Sequence, residues 1–219
     1  MSWLWLAAGL LVIAGVAVVL LPRSSIQVPD YVFALLGLDS EQDIGEWLSS
    51  ALLAINGTIA LLIARPPFFE RNLRRYWIGL GIVLWILSLD EAVSLHERSA
   101  LGIRLTGALK YAWVIPATVL VLLLGAWFGF GLIQRLPIRL RNAVFLAATV
   151  YVGGALGFEF IEGAISDGWL FGAVGDDSLP RKLAVSIQEA LEMSGLVLLL
   201  NALLNYVAES KQPLVLEVR

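Results

Sequence analysis

Six stretches of this chain are long and apolar enough to cross a lipid bilayer, which restricts its fold more than any other feature. A crossing helix needs about 20 mostly apolar residues, and inside hydrocarbon every backbone N–H and C=O must be satisfied within the segment. The stretches are residues 3–21, 44–64, 76–97, 111–132, 142–165 and 183–207. They predict an all-α integral membrane bundle of six transmembrane helices, forming one domain over residues 1–219. Composition agrees, with 59% hydrophobic and 15% charged residues, against about 25% charged in a soluble domain.

Local signals set the expected ends. No Lys or Arg precedes the first stretch, and Pro22 and Arg23 follow it without a small-residue cleavage site, so it reads as a retained helix. Ser40 with Asp43 three residues on resembles a capping box for the second span. Ser178 and Pro180 are placed to open the sixth, because serine caps orphan N–H groups and proline suits a first turn. Trp3, Trp5, Trp47, Trp77 and Trp113 lie near span ends, where an interfacial aromatic belt forms. Trp85 and Trp127 lie deeper and are expected to pack between helices. Residues 31–38 are too few to cross and too apolar for water, so they read as an interfacial or re-entrant segment. Gly125-x-x-x-Gly129 and Gly153-x-x-x-Gly157 put small residues on one face of spans four and five, which predicts close packing of that pair.

Orientation follows from Lys and Arg in short loops. Nine fall on the side that carries the 65–75 loop, the 134–141 loop and the C-terminal tail; six fall on the other. Both termini are therefore expected in the cytoplasm, in a multi-pass protein of a bacterial-type inner or plasma membrane. Net charge is −3 with scattered basic residues, so nucleic acid is not an expected partner. The absence of cysteine excludes disulfide frameworks and thiolate chemistry, and the single histidine, His96, excludes histidine-rich metal centres.

The charges inside the spans carry the functional information. All fifteen Lys and Arg lie outside the six spans, whereas eight carboxylates lie inside: Glu46, Asp90, Glu91, Glu97, Glu159, Glu162, Glu189 and Glu192. A charged residue at the centre of a membrane helix costs about 2.5–3.5 kcal/mol on insertion scales and usually faces the bundle interior. An acidic excess without internal cations calls for protons, a bound cation, or basic groups such as Arg98, Arg104, Lys110, Arg181 and Lys182 reaching in from the rim. Topology places the acids at similar depth near one end of the bundle. At 100° per residue, Asp90, Ser94 and Glu97 share a face of span three, while Glu159-x-x-Glu162 and Glu189-x-x-Glu192 each project both carboxylates from one stripe. Glu46 and Glu91 stand near enough to a boundary or face edge to be solvated. Asn56, Asn201 and Asn205 are expected to hydrogen-bond between helices.

This pattern points first to a divalent metal held by Asp90, Glu97, Glu159, Glu162, Glu189 and Glu192. An oxygen-rich donor set favours manganese, calcium or iron over zinc. Such an ion could polarise a lipid or other amphiphilic substrate that enters from the bilayer. His96 and Glu97 are the candidate catalytic acid/base groups, since an imidazole titrates near neutrality. Two further readings stand beside it. One is proton- or cation-coupled transport, although such sites usually sit nearer the midplane. The other is a structural ion-pair network at the rim. No diagnostic serine-hydrolase motif accompanies the histidine.

Overall fold

The computed structural model describes residues 2–20, 35–36, 43–66, 71–98, 105–172, 174 and 178–209. Every regular element among the described residues is helical. Its main elements are α1 (Ser2–Leu20), α2 (Ile44–Ile63), α3 (Arg74–Val93), the short α4 (Leu95–Arg98), α5 (Val114–Gly131), α6 (Ile138–Val152), α7 (Glu159–Ser166) and α8 (Leu179–Glu209). A π-helical turn, Gly153–Phe158, joins α6 to α7. Five helical runs among the described residues are long and apolar enough to cross a membrane: α2, α3, α5 with its following turn, α6 through α7, and α8. The apolar α1 adds a shorter sixth. The chain is thus a multi-pass helical bundle of the membrane type. The 31–38 segment lies outside the described residues apart from Leu35 and Leu36, as do Arg23, Ser40 and Arg104.

Boundaries follow local chemistry, with two departures from expectation. Asp43 itself caps α2, its Oδ1 accepting the Glu46 N–H at 2.9 Å, so the cap sits three residues beyond the expected serine. At α8 the Ser178 carbonyl accepts the Lys182 N–H at 3.1 Å, while the buried Ser178 hydroxyl makes no hydrogen bond among the described residues. Leu179 and Pro180 are already helical, and α8 starts four residues before the apolar run that marked its span.

The α2–α3 pair is the most intimate contact in the bundle. A Cβ on Gly57 would stand 3.0 Å from the Gly81 carbonyl oxygen, and one on Gly81 would stand 2.9 Å from the Gly57 carbonyl oxygen. The two backbones therefore touch where neither residue has a side chain. Ser50 and Ser88 lock the same pair further along, each hydroxyl donating to the other's carbonyl at 2.8 and 2.9 Å. In lipid, helix association relies on such close packing and interhelical hydrogen bonds. α8 then packs against α1, α2 and α6. Asn56 on α2, fully buried, donates to the Leu196 carbonyl of α8 at 3.1 Å and to its own Leu52 carbonyl at 2.9 Å. The interhelical role expected of Asn56 is thereby met. Among the described residues, Asn205 instead reaches only Asn201 on its own helix, 3.5 Å away and exposed.

Other expectations fail for identifiable reasons. Added Cβ atoms at Gly125, Gly129, Gly153 and Gly157 would meet nothing within 4 Å, so neither G-x-x-x-G pattern mediates a helix contact. The glycines that do bring α8 close are Gly154, one residue on, whose Cβ would stand 3.0 Å from the Gln188 carbonyl oxygen, and Gly195 of α8 itself, whose Cβ would stand 2.7 Å from the Tyr151 nitrogen. Trp77 is not interfacial but buried, stacked on Tyr206 with centroids 5.9 Å apart. Trp85 packs against α2 as expected, its Cδ1 2.9 Å from where a Gly57 Cβ would stand, but its ring is not enclosed, the residue being 47% exposed.

α5 is seated differently from the rest. Its buried residues are only Val114 and Gly131, one at each end. Trp127 lies against Tyr76 with ring centroids 5.1 Å apart, and Tyr76 also covers Gly131. Between these anchors the helix stands away from α3 and α6, leaving a space behind it.

Candidate functional site

That space is a cavity of about 1020 Å³, at the upper end of the roughly 300–1,000 Å³ typical of small-molecule sites. Leu80, Leu84 and Leu87 of α3, Leu124 and Phe128 of α5, Val144 and Ala147 of α6, and Leu196 and Leu199 of α8 form its apolar length. Its polar end holds Glu46, Asp90, Glu91, Ser94, His96, Lys110, Tyr111, Glu159, Glu162, Arg181, Gln188, Glu189 and Glu192. It is partly open, and Ile86 of α3 and Leu120 of α5 contribute to its wall while 61% and 55% exposed. Seven of the eight carboxylates read from the sequence thus face one space. The eighth, Glu97, lies on α4 with its side chain outside the described part, as does that of Arg98.

The Asp90–His96 pair owes its geometry to a break in the helix. α3 ends at Val93 because Ser94 adopts a left-handed conformation, φ 48° and ψ 48°, with its N–H returning to the Asp90 carbonyl. Such a cap usually falls to glycine, since a Cβ is strained there. The reversal lets Asp90 accept two bonds from His96. Oδ1 takes the backbone N–H at 2.9 Å, and Oδ2 lies 2.9 Å from the ring Nδ1. The Trp113 ring lies 4.5 Å from the imidazole, centroid to centroid. This corrects the expected common face of Asp90, Ser94 and Glu97, because the 100° progression stops at Val93. A carboxylate on Nδ1 fixes the orientation of the imidazole.

A second constellation forms where the 107–113 loop meets α7 and α8. The Gly107 N–H donates to Asp167 Oδ2 at 2.6 Å, and an added Cβ on Gly163 would stand 3.0 Å from the Gly107 carbonyl oxygen. This docking carries Tyr111 to Glu162, and the phenol donates to Oε1 at 2.7 Å. Arg181 reaches the same oxygen, its Nη2 also at 2.7 Å. Sequence reasoning placed Arg181 at the rim but missed Tyr111, which it read as the first residue of a span.

The remaining acids are set by the π turn and α8. Glu159 and Glu162 follow the turn directly and are buried, as is Glu192. Glu189 and Glu192 lie ten and thirteen residues into α8, about 15 and 20 Å along its axis, deeper than a start at residue 183 implied. Glu91, Glu189 and Glu192 stand within electrostatic reach of one another. The Glu189 Oε2 and Gln188 Oε1 atoms are buried without a hydrogen bond among the described residues. Gln188 was also missed, because neutral amides were followed only where they were asparagine.

The donor set does not fit a metal centre as laid out. Among the described residues, no three His, Asp or Glu side chains come together closely enough to hold an ion. Asp90 is committed to His96, and Glu162 to Tyr111 and a guanidinium. The carboxylates expected to converge are spread along the wall of a chamber.

A family model matches residues 3–207. The chain belongs to that family, which is described as Domain of unknown function (DUF8692). The match takes in every helix of the bundle and every described residue of the cavity wall. Neither the curated proteins nor the solved structures yield a match.

Proposed function

We propose that this protein binds one amphiphile at a time, with its apolar chain along α5 and its polar head among the acids at the end of the cavity. The observation that carries this reading is the cavity itself, apolar over most of its length, polar at one end and partly open between α3 and α5. A lipid can exchange its chain from bilayer to cavity with little change in apolar contact. Selectivity then falls to the head, where hydrogen bonds and charges exist. Helix α5, held only at its ends, can admit a chain without disturbing the α2–α3–α8 contacts. With both termini in the cytoplasm, the acidic end faces outward, and the Asp90–His96 pair gives that end a proton acceptor.

The test is native mass spectrometry of protein released from lipid nanodiscs. One lipid is expected to remain bound per chain. Gly125→Trp should remove it, since Gly125 lines the cavity and an added Cβ meets nothing within 4 Å. Equal retention by parent and folded variant would refute the reading. Elemental analysis of the same samples separates it from metal-dependent chemistry. A stoichiometric ion present in the parent and lost in Glu159→Gln/Glu189→Gln would favour the metal instead.

A further inference from the structure

We propose that residues 169–171 form an interfacial anchor. Trp169, Leu170 and Phe171 insert into the head-group region of the leaflet at the polar end of the bundle and hold that end of the cavity at a fixed depth. The anchor is independent of what the cavity binds.

The loop after α7 carries no charged residue from Gly168 to Gly175. Its three large apolar residues are exposed, Trp169 by 68%, Leu170 by 42% and Phe171 by 73%. The backbone is bent to present them. Phe171 has φ 66°, between Gly168 at 79° and Gly172 at 74°. A bulky side chain is a steric outlier in that region, where glycine would sit without strain. Because the Phe171 ring is mostly exposed, contacts within the protein do not offset the strain. The compensating contact lies outside the molecule.

Two observations point to lipid rather than water as that contact. The first is the backbone. Four successive N–H groups are satisfied within the segment. Asp167 donates to the Gly163 carbonyl and Gly168 to that of Ile165, each at 3.0 Å, while Trp169 and Leu170 both donate to that of Ala164, at 2.9 and 3.1 Å. A loop in water can leave such groups to solvent, whereas backbone facing hydrocarbon must satisfy them itself.

The second observation is depth. The same bonds turn the loop back onto the last turn of α7 instead of letting it project. Trp169 lies over Gly107, its ring filling the space that a Cβ would need, and Gly107 in turn sits on Gly163. The tip is therefore level with Glu162, the residue before Gly163, and with Tyr111 and Arg181, which engage that carboxylate. Amphipathic tryptophan rings are enriched at the height where apolar and polar surroundings meet. Asp167 and Trp169 both hold the Gly107 turn. A tip fixed in the leaflet thus also fixes the 107–113 loop, which brings Lys110 and Tyr111 to the cavity.

The chain contains no cysteine, so a nitroxide can be attached to the full chain at Leu170→Cys or at Phe171→Cys. In nanodiscs, collision of the label with oxygen, which concentrates in lipid, is compared with its collision with a water-soluble nickel chelate. The oxygen-to-nickel ratio at both positions should be several-fold higher than for a label at Glu209→Cys, an exposed charged position at the end of α8. Phe171→Gly removes the ring and relieves the backbone, so it should keep parental helicity while lowering the ratio at the Leu170→Cys label. Ratios equal to that at position 209 would place the tip in water and overturn the proposal, leaving a surface for a soluble partner. Low collision with both reagents would place the tip inside the protein and overturn it equally. An unchanged ratio in folded Phe171→Gly would do the same.

Discussion

The two sides of this bundle are built to opposite standards. Where α2 crosses α3, glycines bring backbones into contact, serines exchange hydrogen bonds and Asn56 ties the pair to α8. Across the molecule, α5 is buried only at Val114 and Gly131, and a chamber of about 1020 Å³ separates its middle from the rest. The open-side helix is the more apolar in sequence and yet the less buried, so hydrophobicity does not account for the packing. What differs is whether small residues face a neighbour. Gly57 and Gly81 face each other, whereas Gly125 and Gly129 face nothing. One side supplies the rigidity that allows the other to remain open.

Substitution should expose the contrast. The largest effect is expected from Gly81→Leu, whose Cβ would stand 2.6 Å from the Leu61 side chain and 2.9 Å from the Gly57 carbonyl oxygen, a backbone atom that cannot rotate aside. Overpacking of this kind costs about 3 kcal/mol, seen as a lower unfolding midpoint in detergent. Asn56→Ala should cost about 1 kcal/mol in the same assay, the scale of a hydrogen bond between membrane helices. Gly125→Trp should shift stability by less than about 0.5 kcal/mol, as substitutions away from packed contacts do, while emptying the cavity. If Gly125→Trp proved as damaging as Gly81→Leu, the open side would be a packed interface and the contrast would collapse.

Apolar run length made the six helices legible in the sequence, and the requirement that intramembrane charges face inward directed attention to acids that the fold gathers on one cavity. Seven of those eight carboxylates line one cavity. What the sequence could not convey was how the acids divide among partners. Asp90 turns to His96 only because Ser94 takes a left-handed conformation that serine rarely adopts, and no residue pattern announces it. Glu162 is engaged by Tyr111 and Arg181 through a loop docked on Gly163, a contact between distant segments. Glycine spacing misled for a related reason. A G-x-x-x-G repeat states that a face is small, not that a helix lies against it, whereas single glycines at positions 57, 81, 154 and 195 made the close approaches between helices.

The π turn at Gly153–Phe158 bears on how such a site can be gained or lost. A π turn is in effect one residue more than an α-helix needs over the same rise, and it advances everything after it by about 100° around the axis. Glu159 and Glu162 follow it directly, so their direction is a matter of phase rather than of side-chain choice. Deleting one residue between 153 and 158 would leave every acidic residue in place and the helix unbroken. It would nonetheless swing both carboxylates away from the chamber. For this bundle a single codon lost from a glycine-rich turn is a larger functional event than many substitutions, because it changes which way an unchanged sequence faces.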